Sequence, residues 1–280
     1  MPGKLVDAGG HRVHIYCTGQ GSPTVVVAAG GFSFDWGLVQ PKIAQTTRIC
    51  TYDAAGTAWS DPLPTTSNPN CTDRVNELHA MLKSAGIAPP YIMVGFSIGG
   101  LVSRLYAARF SSEIAGMVFV DHAFIDTGGD AAAKSEPAPF QSAGLDSPPA
   151  LIWKTPIALD LADDENFSRL PERDQELHRW AMSIGSFRPS PEMAAVCFSE
   201  VKAAETSAAF PLGSKPVAVV STLYDSAKYR QLQRRLLNLS RDSRQFVAEN
   251  STHMVLIDQP ATIIQAIEQL IAVVRRGTGR

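Results

Sequence analysis

The chain has no run of basic residues and almost no net charge. Its 25 lysines and arginines nearly balance 27 aspartates and glutamates, so the formal charge at neutral pH is −2. Nucleic acids bind strongly basic surfaces, so this balance argues against a nucleic-acid partner, and it equally argues against a strongly acidic substrate surface. We expect a small molecule and water as partners, while the oligomeric state stays open.

Long apolar runs are also missing. The longest, such as residues 24–29, are far shorter than the roughly 18 residues that a membrane span requires. The first ten residues, MPGKLVDAGG, contain no apolar signal region, which makes the cytoplasm the default expectation. A secreted mature chain without its signal peptide would begin in the same way.

Cysteines and histidines lack the spacings that metal sites use. The cysteines Cys17, Cys50, Cys71 and Cys197 form no CxxC pair, which argues against a metal or redox motif. The six histidines show no paired spacing either. We therefore expect no metal and no cofactor.

One short segment carries the strongest chemical signal. Residues 91–100 read YIMVGFSIGG, an apolar strand-like run followed by G-x-S-x-G and a helix-like segment, which is the context of a nucleophile elbow. Glycine at positions 95 and 99 relieves crowding around a tight turn and lets the Ser97 hydroxyl project above the sheet. The sequence predicts Ser97 as a nucleophile, against the alternative of an ordinary glycine-rich turn.

A serine hydroxyl needs a base, and His253 is the candidate. A free hydroxyl is a weak nucleophile, and in this motif the base follows the serine and an acid along the chain. His253 lies just after the strand-like residues 244–250, RQFVAEN, and before a final amphipathic helix. We expect it to take the Ser97 proton.

Several further pieces carry a family resemblance. In chain order they are PTVVVAAGG, Trp36, RICTYDAAGTAWSDP, GFSIGG, GMVFVDHA and STHMVLIDQP. With these pieces the chain resembles, throughout its length, the ester-hydrolase branch of the α/β-hydrolase superfamily. The resemblance implies an α/β fold, with a mostly parallel eight-stranded sheet, helices on both faces and an inserted helical cap.

Two positions depart from the family pattern. Ala29 stands where a histidine frequently precedes the glycine of the oxyanion loop, and Phe96 stands where His or Tyr often precedes the nucleophile. By the resemblance, the oxyanion would be held by the amide of Ile98 and by one amide of the loop after the third strand. Gly31 is the preferred donor there, and Phe32 is the alternative.

The acid has two candidates. Asp225 ends the loop after the strand-like residues 217–220, which is where the family usually places its acid, and it is preferred. Asp121 is the alternative, because it ends the strand 117–120 and some members of the fold resemble that arrangement. By the family's strand order Cys17 and Cys50 lie on neighbouring strands, where we expect buried thiols, with a disulfide as the alternative.

The domain organisation follows from where the pattern breaks. Strands and helices alternate up to residue 122 and again from residue 212, as in a parallel sheet covered on both faces. Residues 123–211 begin with a Gly- and Pro-rich stretch and turn helical at about 172–183 and 191–206. This stretch is too long for a simple connection, so we interpret it as a cap over the core of residues 1–122 and 212–280.

Aromatic residues suggest the substrate. Trp153 and Trp180 of the cap, with Phe32 and Phe96 of the core, are expected to form an apolar pocket, although each alone is explained more simply by packing. The sequence predicts a serine hydrolase that cleaves a carboxylic ester of a small or medium hydrophobic substrate through an acyl-enzyme on Ser97.

Other functions remain open from the sequence. The same triad serves amide, peptide, lactone, thioester or carbon–carbon bonds, or a cyanohydrin in a lyase. A hydrolase-like ligand receptor with little turnover is a further alternative. Epoxide and haloalkane hydrolases are disfavoured, because they resemble this fold but need a carboxylate where Ser97 stands.

Overall fold

The chain folds around one eight-stranded sheet. The structure is a computed structural model that describes residues 1–28, 30–63, 69–123, 161–186, 191–205, 211–223 and 227–278. The strands are β1 (Lys4–Asp7), β2 (Arg12–Thr18), β3 (Thr24–Ala28), β4 (Ile49–Asp53), β5 (Tyr91–Phe96), β6 (Ile114–Val120), β7 (Val217–Thr222) and β8 (Ser243–Ala248). Their order is β1-β2-β4-β3-β5-β6-β7-β8. The β1–β2 and β2–β4 pairings are antiparallel and the other five are parallel, which confirms the predicted mostly parallel sheet.

Helices cover both faces of the sheet. They are α1 (Gln40–Ile43), α2 (Cys71–Ser84), α3 (Gly99–Arg109), α4 (Glu172–Ser183), α5 (Pro191–Ala204), α6 (Ala227–Arg235), α7 (Val255–Asp258) and α8 (Pro260–Thr278). None of the helices that the structure describes has a stretch long and apolar enough to cross a membrane.

Valine-rich central strands explain why the core forms two layers. The side chains of β3 are all buried, as expected of a parallel strand covered on both faces. Successive residues of a strand point to opposite faces, so Val26 packs with α2, α3 and α5 on one face. Val25 and Val27 pack with α8 on the other face.

One helix predicted from the sequence is divided in the structure. The pattern predicts a single helix over residues 35–46, but the structure has a 3-10 turn at Ser33–Trp36 and then the short helix α1. Pro41 lacks the amide hydrogen that would continue the preceding turn, so it is tolerated only in the first turn of a new helix. The sequence pattern also predicts one helix over residues 226–239, whereas α6 ends at Arg235 and a 3-10 turn, Leu236–Leu239, follows it.

The two helices of segment 123–211 lie in different places. Helix α5 packs on α2 and α3, and its Met193 and Val201 belong to the main apolar cluster. Helix α4 lies against the 3-10 turn Ser33–Trp36. The domain boundaries at residues 122 and 212 remain a prediction, because much of this segment lies outside the described residues.

All four cysteines form disulfides, in place of the buried thiols that the sequence favoured for Cys17 and Cys50. These two residues are direct cross-strand partners in β2 and β4, and their sulfurs are bonded. The second bond joins Cys71, at the start of α2, to Cys197 in α5. The predicted position of Cys17 and Cys50 on neighbouring strands is confirmed. Their disulfide is the alternative that the sequence analysis kept beside the preferred buried thiols.

Candidate active site

The turn between β5 and α3 has the geometry of a nucleophile elbow. Strand β5 ends at Phe96 and α3 begins at Gly99, and Ser97 between them has a φ of +53°. This left-handed conformation is costly for a residue with a side chain and is frequent at functional sites. A Cβ added to Gly95 would lie only 2.6 Å from the Cα of Gly100, so position 95 requires glycine.

Backbone hydrogen bonds join this elbow to the end of β6. The Ser97 amide donates to the Val120 carbonyl over 3.0 Å, and the Ala123 amide donates to the Ser97 carbonyl over 3.1 Å. Asp121 and His122 lie between those two partners along the chain. The end of β6 is therefore held directly beside the candidate nucleophile.

His253 approaches the elbow from the loop after β8. Its ring lies 4.8 Å, centroid to centroid, from the ring of Phe96, the residue before Ser97. Its Nδ1 lies 2.6 Å from Oδ2 of Asp121, and both side chains are buried. Because the carboxylate accepts, Nδ1 donates, and in the neutral ring Nε2 then carries the basic lone pair.

The acid beside the histidine differs from the one that the sequence preferred. The sequence placed Asp225 in this role and kept Asp121 as the alternative. The structure pairs His253 with Asp121, and Asp225 lies outside the described residues. The physical reason is that Asp121, at the end of the strand next to β5, already lies beside the elbow.

Asp121 is supported by groups that the sequence analysis missed. It has a φ of +39°, and its Oδ1 accepts from the Gln233 amide over 3.2 Å. The Tyr229 hydroxyl donates to the His122 carbonyl over 2.6 Å. Tyr229 and Gln233 are four residues apart on α6, so they share one helix face, and that spacing of two uncharged residues in a strongly charged helix was the available signal.

Burial sets the electrostatics of this acid. Asp121 has no solvent-exposed surface, and this desolvation raises its pKa above the usual range for aspartate, while the hydrogen bond and charge of His253 act in the opposite direction.

The loop after β3 passes over the elbow. A Cβ added to Gly30 would lie 2.1 Å from the Phe96 carbonyl oxygen, so only glycine allows this approach. We call residues 30–36 the oxyanion loop. Of its two candidate donors, the Phe32 amide already donates to Oδ2 of Asp35 over 2.8 Å. Gly31 is therefore the better candidate, with Ile98 at the start of α3.

A mostly apolar cavity of about 210 Å³ adjoins these residues. Phe32, Phe96 and Ile98 line it, as the sequence predicts for the first two. Trp180, which the sequence also predicts in the pocket, is not among the described lining residues; it packs against the cluster of Phe32, Phe34 and Ala181, with its ring 5.6 Å from that of Trp59. Trp153 lies outside the described residues. The polar side chains among the lining residues are Asp35, Tyr52, Thr57, Arg74 and His178.

One cluster in the described part of the chain has the composition of a metal site. The ligand atoms of Cys71, Cys197 and Glu200 lie within 4.8 Å of one another. Zinc-type sites use cysteine thiolates, and here the two sulfurs are joined in a disulfide. The cluster does not fit a metal in this state.

The chain belongs to the α/β-hydrolase family. The family model described as "alpha/beta hydrolase fold" matches residues 23–260. Among curated proteins, YqjL of Bacillus subtilis is 25% identical over 257 residues, which cover 89% of this chain and 83% of that protein. An uncharacterised protein of Schizosaccharomyces pombe is 31% identical over 158 residues, 45% of this chain. The chain spans only 29% of the length of that relative.

Solved structures share the fold at low sequence identity. A putative lipase from Acinetobacter baumannii superposes with a TM-score of 0.69 at 15% identity, over 98% of this chain and 92% of the other. A meta-cleavage product hydrolase from Pseudomonas fluorescens gives 0.64 at 17%, over 96% and 97%. An esterase from Thermogutta terrifontis gives 0.65 at 16%, over 97% and 98%. These likenesses establish the fold, in agreement with the family model.

Proposed function

We propose that this hydrolase cleaves carboxylic esters of small or medium hydrophobic substrates, through an acyl-enzyme on Ser97. One observation carries the proposal: a buried His253–Asp121 pair, 2.6 Å between Nδ1 and Oδ2, stands beside a serine held at a φ of +53° on a strand-to-helix turn. A nucleophile, a base and an orienting acid are the parts that acyl transfer needs.

The first step forms the acyl-enzyme. His253 Nε2 takes the Ser97 proton as the serine oxygen attacks the ester carbonyl carbon. The amides of Gly31 and Ile98 hold the oxyanion, and each such donor contributes roughly 3 kcal/mol to transition-state stabilisation. As the intermediate collapses, the carbon–oxygen bond to the alcohol breaks, and the departing oxygen takes the proton from His253.

The second step releases the acid. His253 removes a proton from water as the water oxygen attacks the acyl carbon, and the same two amides hold the second oxyanion. The bond to Ser97 then breaks, and the serine oxygen takes the proton back from His253. Asp121 stabilises the imidazolium in both steps and keeps the Nδ1 hydrogen in place.

The cavity supports a hydrophobic group of modest size. Its described walls are mostly apolar, and its volume of about 210 Å³ lies below the range typical of drug-sized ligands, about 300–1,000 Å³. A short acyl chain or an aromatic ring would fit the described part of this space.

A fluorophosphonate and a graded ester series test the proposal. Ser97→Ala is expected to lower kcat by about 10⁶-fold on p-nitrophenyl esters, and labelling by a fluorophosphonate should disappear with it. Ser111→Ala, an exposed serine just after α3, is the matched control and should keep both. Substantial turnover by folded Ser97→Ala would contradict the nucleophile assignment.

The ester series also distinguishes the type of bond that is cleaved. The fold neighbours do not, because their names include a putative lipase, an esterase, an epoxide hydrolase and a meta-cleavage product hydrolase. We expect turnover to peak at short acyl lengths. Labelling of Ser97 without turnover of any ester, but with turnover of anilides, lactones or thioesters, would move the activity to another bond. Labelling with no turnover at all would favour the ligand receptor.

A further inference from the structure

The oxyanion loop is held by two buried carboxylates. The Phe32 amide donates to Oδ2 of Asp35 over 2.8 Å, and the next amide, that of Ser33, donates to Oδ1 of Asp53 over 2.7 Å. Hydrogen bonds from amides to carboxylates are roughly twice as strong as those between neutral groups. Two consecutive peptide units next to Gly31 are therefore fixed by charge-assisted bonds.

Each carboxylate is itself held by a buried histidine through its other oxygen. Nδ1 of His178 lies 2.7 Å from Oδ1 of Asp35, and Nδ1 of His14 lies 2.7 Å from Oδ2 of Asp53. The four side chains are all at most 6% exposed. The chain thus has two further histidine–aspartate pairs, and both act on the same loop.

The two pairs connect the loop to different parts of the molecule. His14 lies in the middle of β2 and Asp53 ends β4, so this pair belongs to the sheet. His178 lies on α4, in segment 123–211, and its ring also packs 5.3 Å from Phe32 and 5.4 Å from Phe167. The first pair anchors the loop to the rigid core, and the second anchors it to α4.

The position of this loop matters because its Gly31 amide is proposed to bind the oxyanion. An oxyanion donor must lie 2.7–3.1 Å from the developing charge, and a misplacement of about 1 Å costs on the order of 10²-fold in rate. Burying ion pairs usually adds little net stability compared with apolar packing. Two such pairs on consecutive amides are better explained by positioning than by stability.

We propose that Asp35 and Asp53 are positioning residues for the oxyanion loop. Through the His178–Asp35 pair, the position of the Gly31 amide would also depend on the position of α4. The inference rests on the proposed function for the reacting group at Ser97. Neither aspartate exchanges a proton with the substrate in this scheme.

Ketone inhibitors provide the test, because they separate oxyanion binding from ground-state binding. A trifluoromethyl ketone adds to the serine and places an oxyanion in the hole, while the matching methyl ketone fills the same pocket with far less addition. For Asp35→Ser and for His178→Gln we expect kcat to fall about 10- to 100-fold, with KM within about twofold. Affinity for the trifluoromethyl ketone should fall by the same factor as kcat, and affinity for the methyl ketone should stay unchanged.

A histidine–carboxylate pair elsewhere is the matched control. Nε2 of His79, on α2, lies 3.2 Å from Oε1 of Glu113. Glu113 precedes β6, at the opposite end of the strands from Ser97. His79→Gln should leave kcat and both ketone affinities unchanged. An equal loss of both ketones in Asp35→Ser and His178→Gln would show that the pair shapes the pocket or contacts substrate, and would overturn the inference.

Hydrogen exchange decides the inference independently of activity. The Phe32 amide should exchange faster in Asp35→Ser, and the Ser33 amide faster in Asp53→Ser, than in the wild type or His79→Gln. Unchanged exchange would overturn the inference. If Asp35→Ser does not fold, Asp35→Asn and His178→Gln replace it, with the same criterion. A wild type that neither turns over esters nor reacts with a fluorophosphonate would refute the proposed function, while the exchange result would still report on the loop.

Discussion

At the scale of residues, the site concentrates strained backbone at two strand ends. Ser97 and Asp121 have φ values of +53° and +39° and follow the neighbouring strands β5 and β6. Each such conformation costs of order 1–3 kcal/mol, and it persists because hydrogen bonds from both strands fix the turns. From its turn the Asp121 side chain reaches His253, with 2.6 Å between Oδ2 and Nδ1.

The acid assignment is tested by a pair of amide variants. Asp121→Asn preserves shape but favours the wrong histidine tautomer, a change that lowers kcat about 10⁴-fold in serine proteases. Asp225→Asn should be mild. The rates of both variants and of the wild type are compared at one pH. A larger loss at Asp225 would return the acid to the loop after β7.

His122 makes stability depend on pH. Burial, and then the positive charge of Arg104, lower the pKa of His122 well below its usual range. When the pH falls below the unfolded value near ~6.5, the unfolded chain binds a proton that the folded chain does not. The stability that is present above this pH is therefore lost as the solution becomes more acidic.

Urea unfolding of His122→Gln at pH 7 and pH 5 measures this effect. Between the two values, the free energy of unfolding of the wild type should fall more than that of the variant, by at most about 2 kcal/mol, because each pH unit contributes at most about 1.4 kcal/mol. Other titrating groups affect both proteins alike. Parallel loss in both proteins would contradict a buried neutral His122.

At the scale of elements, local patterns predicted what local chemistry determines. The run YIMVG predicts β5, the glycines around Ser97 predict the elbow, and the loop after β8 predicts the place of His253, since each depends on neighbouring residues only. The choice between Asp121 and Asp225 as the acid depends instead on contacts between distant parts of the chain. Both follow strands of one sheet, and among the described residues the turn at Asp121, with its support from Gln233 on α6, brings a carboxylate to the histidine.

Long-range packing explains the other differences between sequence and structure. Cys71 and Cys197 are separated by 126 residues, and nothing in their spacing shows that α5 packs on α2. The His178–Asp35 pair has the same origin, since α4 must first be placed against the oxyanion loop. The sequence pattern indicates that these helices exist, but it does not indicate where they pack. Contacts of this kind depend on that tertiary arrangement.

At the scale of the whole molecule, the two disulfides bear on where the protein works. Disulfides persist in oxidising compartments and are rare in the cytosol, so they argue against the cytoplasmic expectation. Mass spectrometry without reductant should show a mass lower by one hydrogen for each cysteine. A full complement of free thiols in protein from an oxidising compartment would contradict both bonds.

The two disulfides should contribute unequally to stability. In the chain-entropy treatment, a disulfide stabilises the fold by restricting the unfolded chain, and the effect grows with the length of the closed loop. The Cys71–Cys197 bond, with a separation of 126 residues, should therefore contribute about 5 kcal/mol. The Cys17–Cys50 bond, with a separation of 33 residues, should contribute about 4 kcal/mol. We expect the Cys71→Ser/Cys197→Ser double variant to unfold at lower urea than Cys17→Ser/Cys50→Ser. Because Cys197 also fixes α5 on α2 and α3, its loss should loosen segment 123–211, seen as faster hydrogen exchange in α5 while β2 and β4 stay protected. The reverse order of stabilities, with α5 exchange unchanged, would show that apolar packing alone holds that helix on the core.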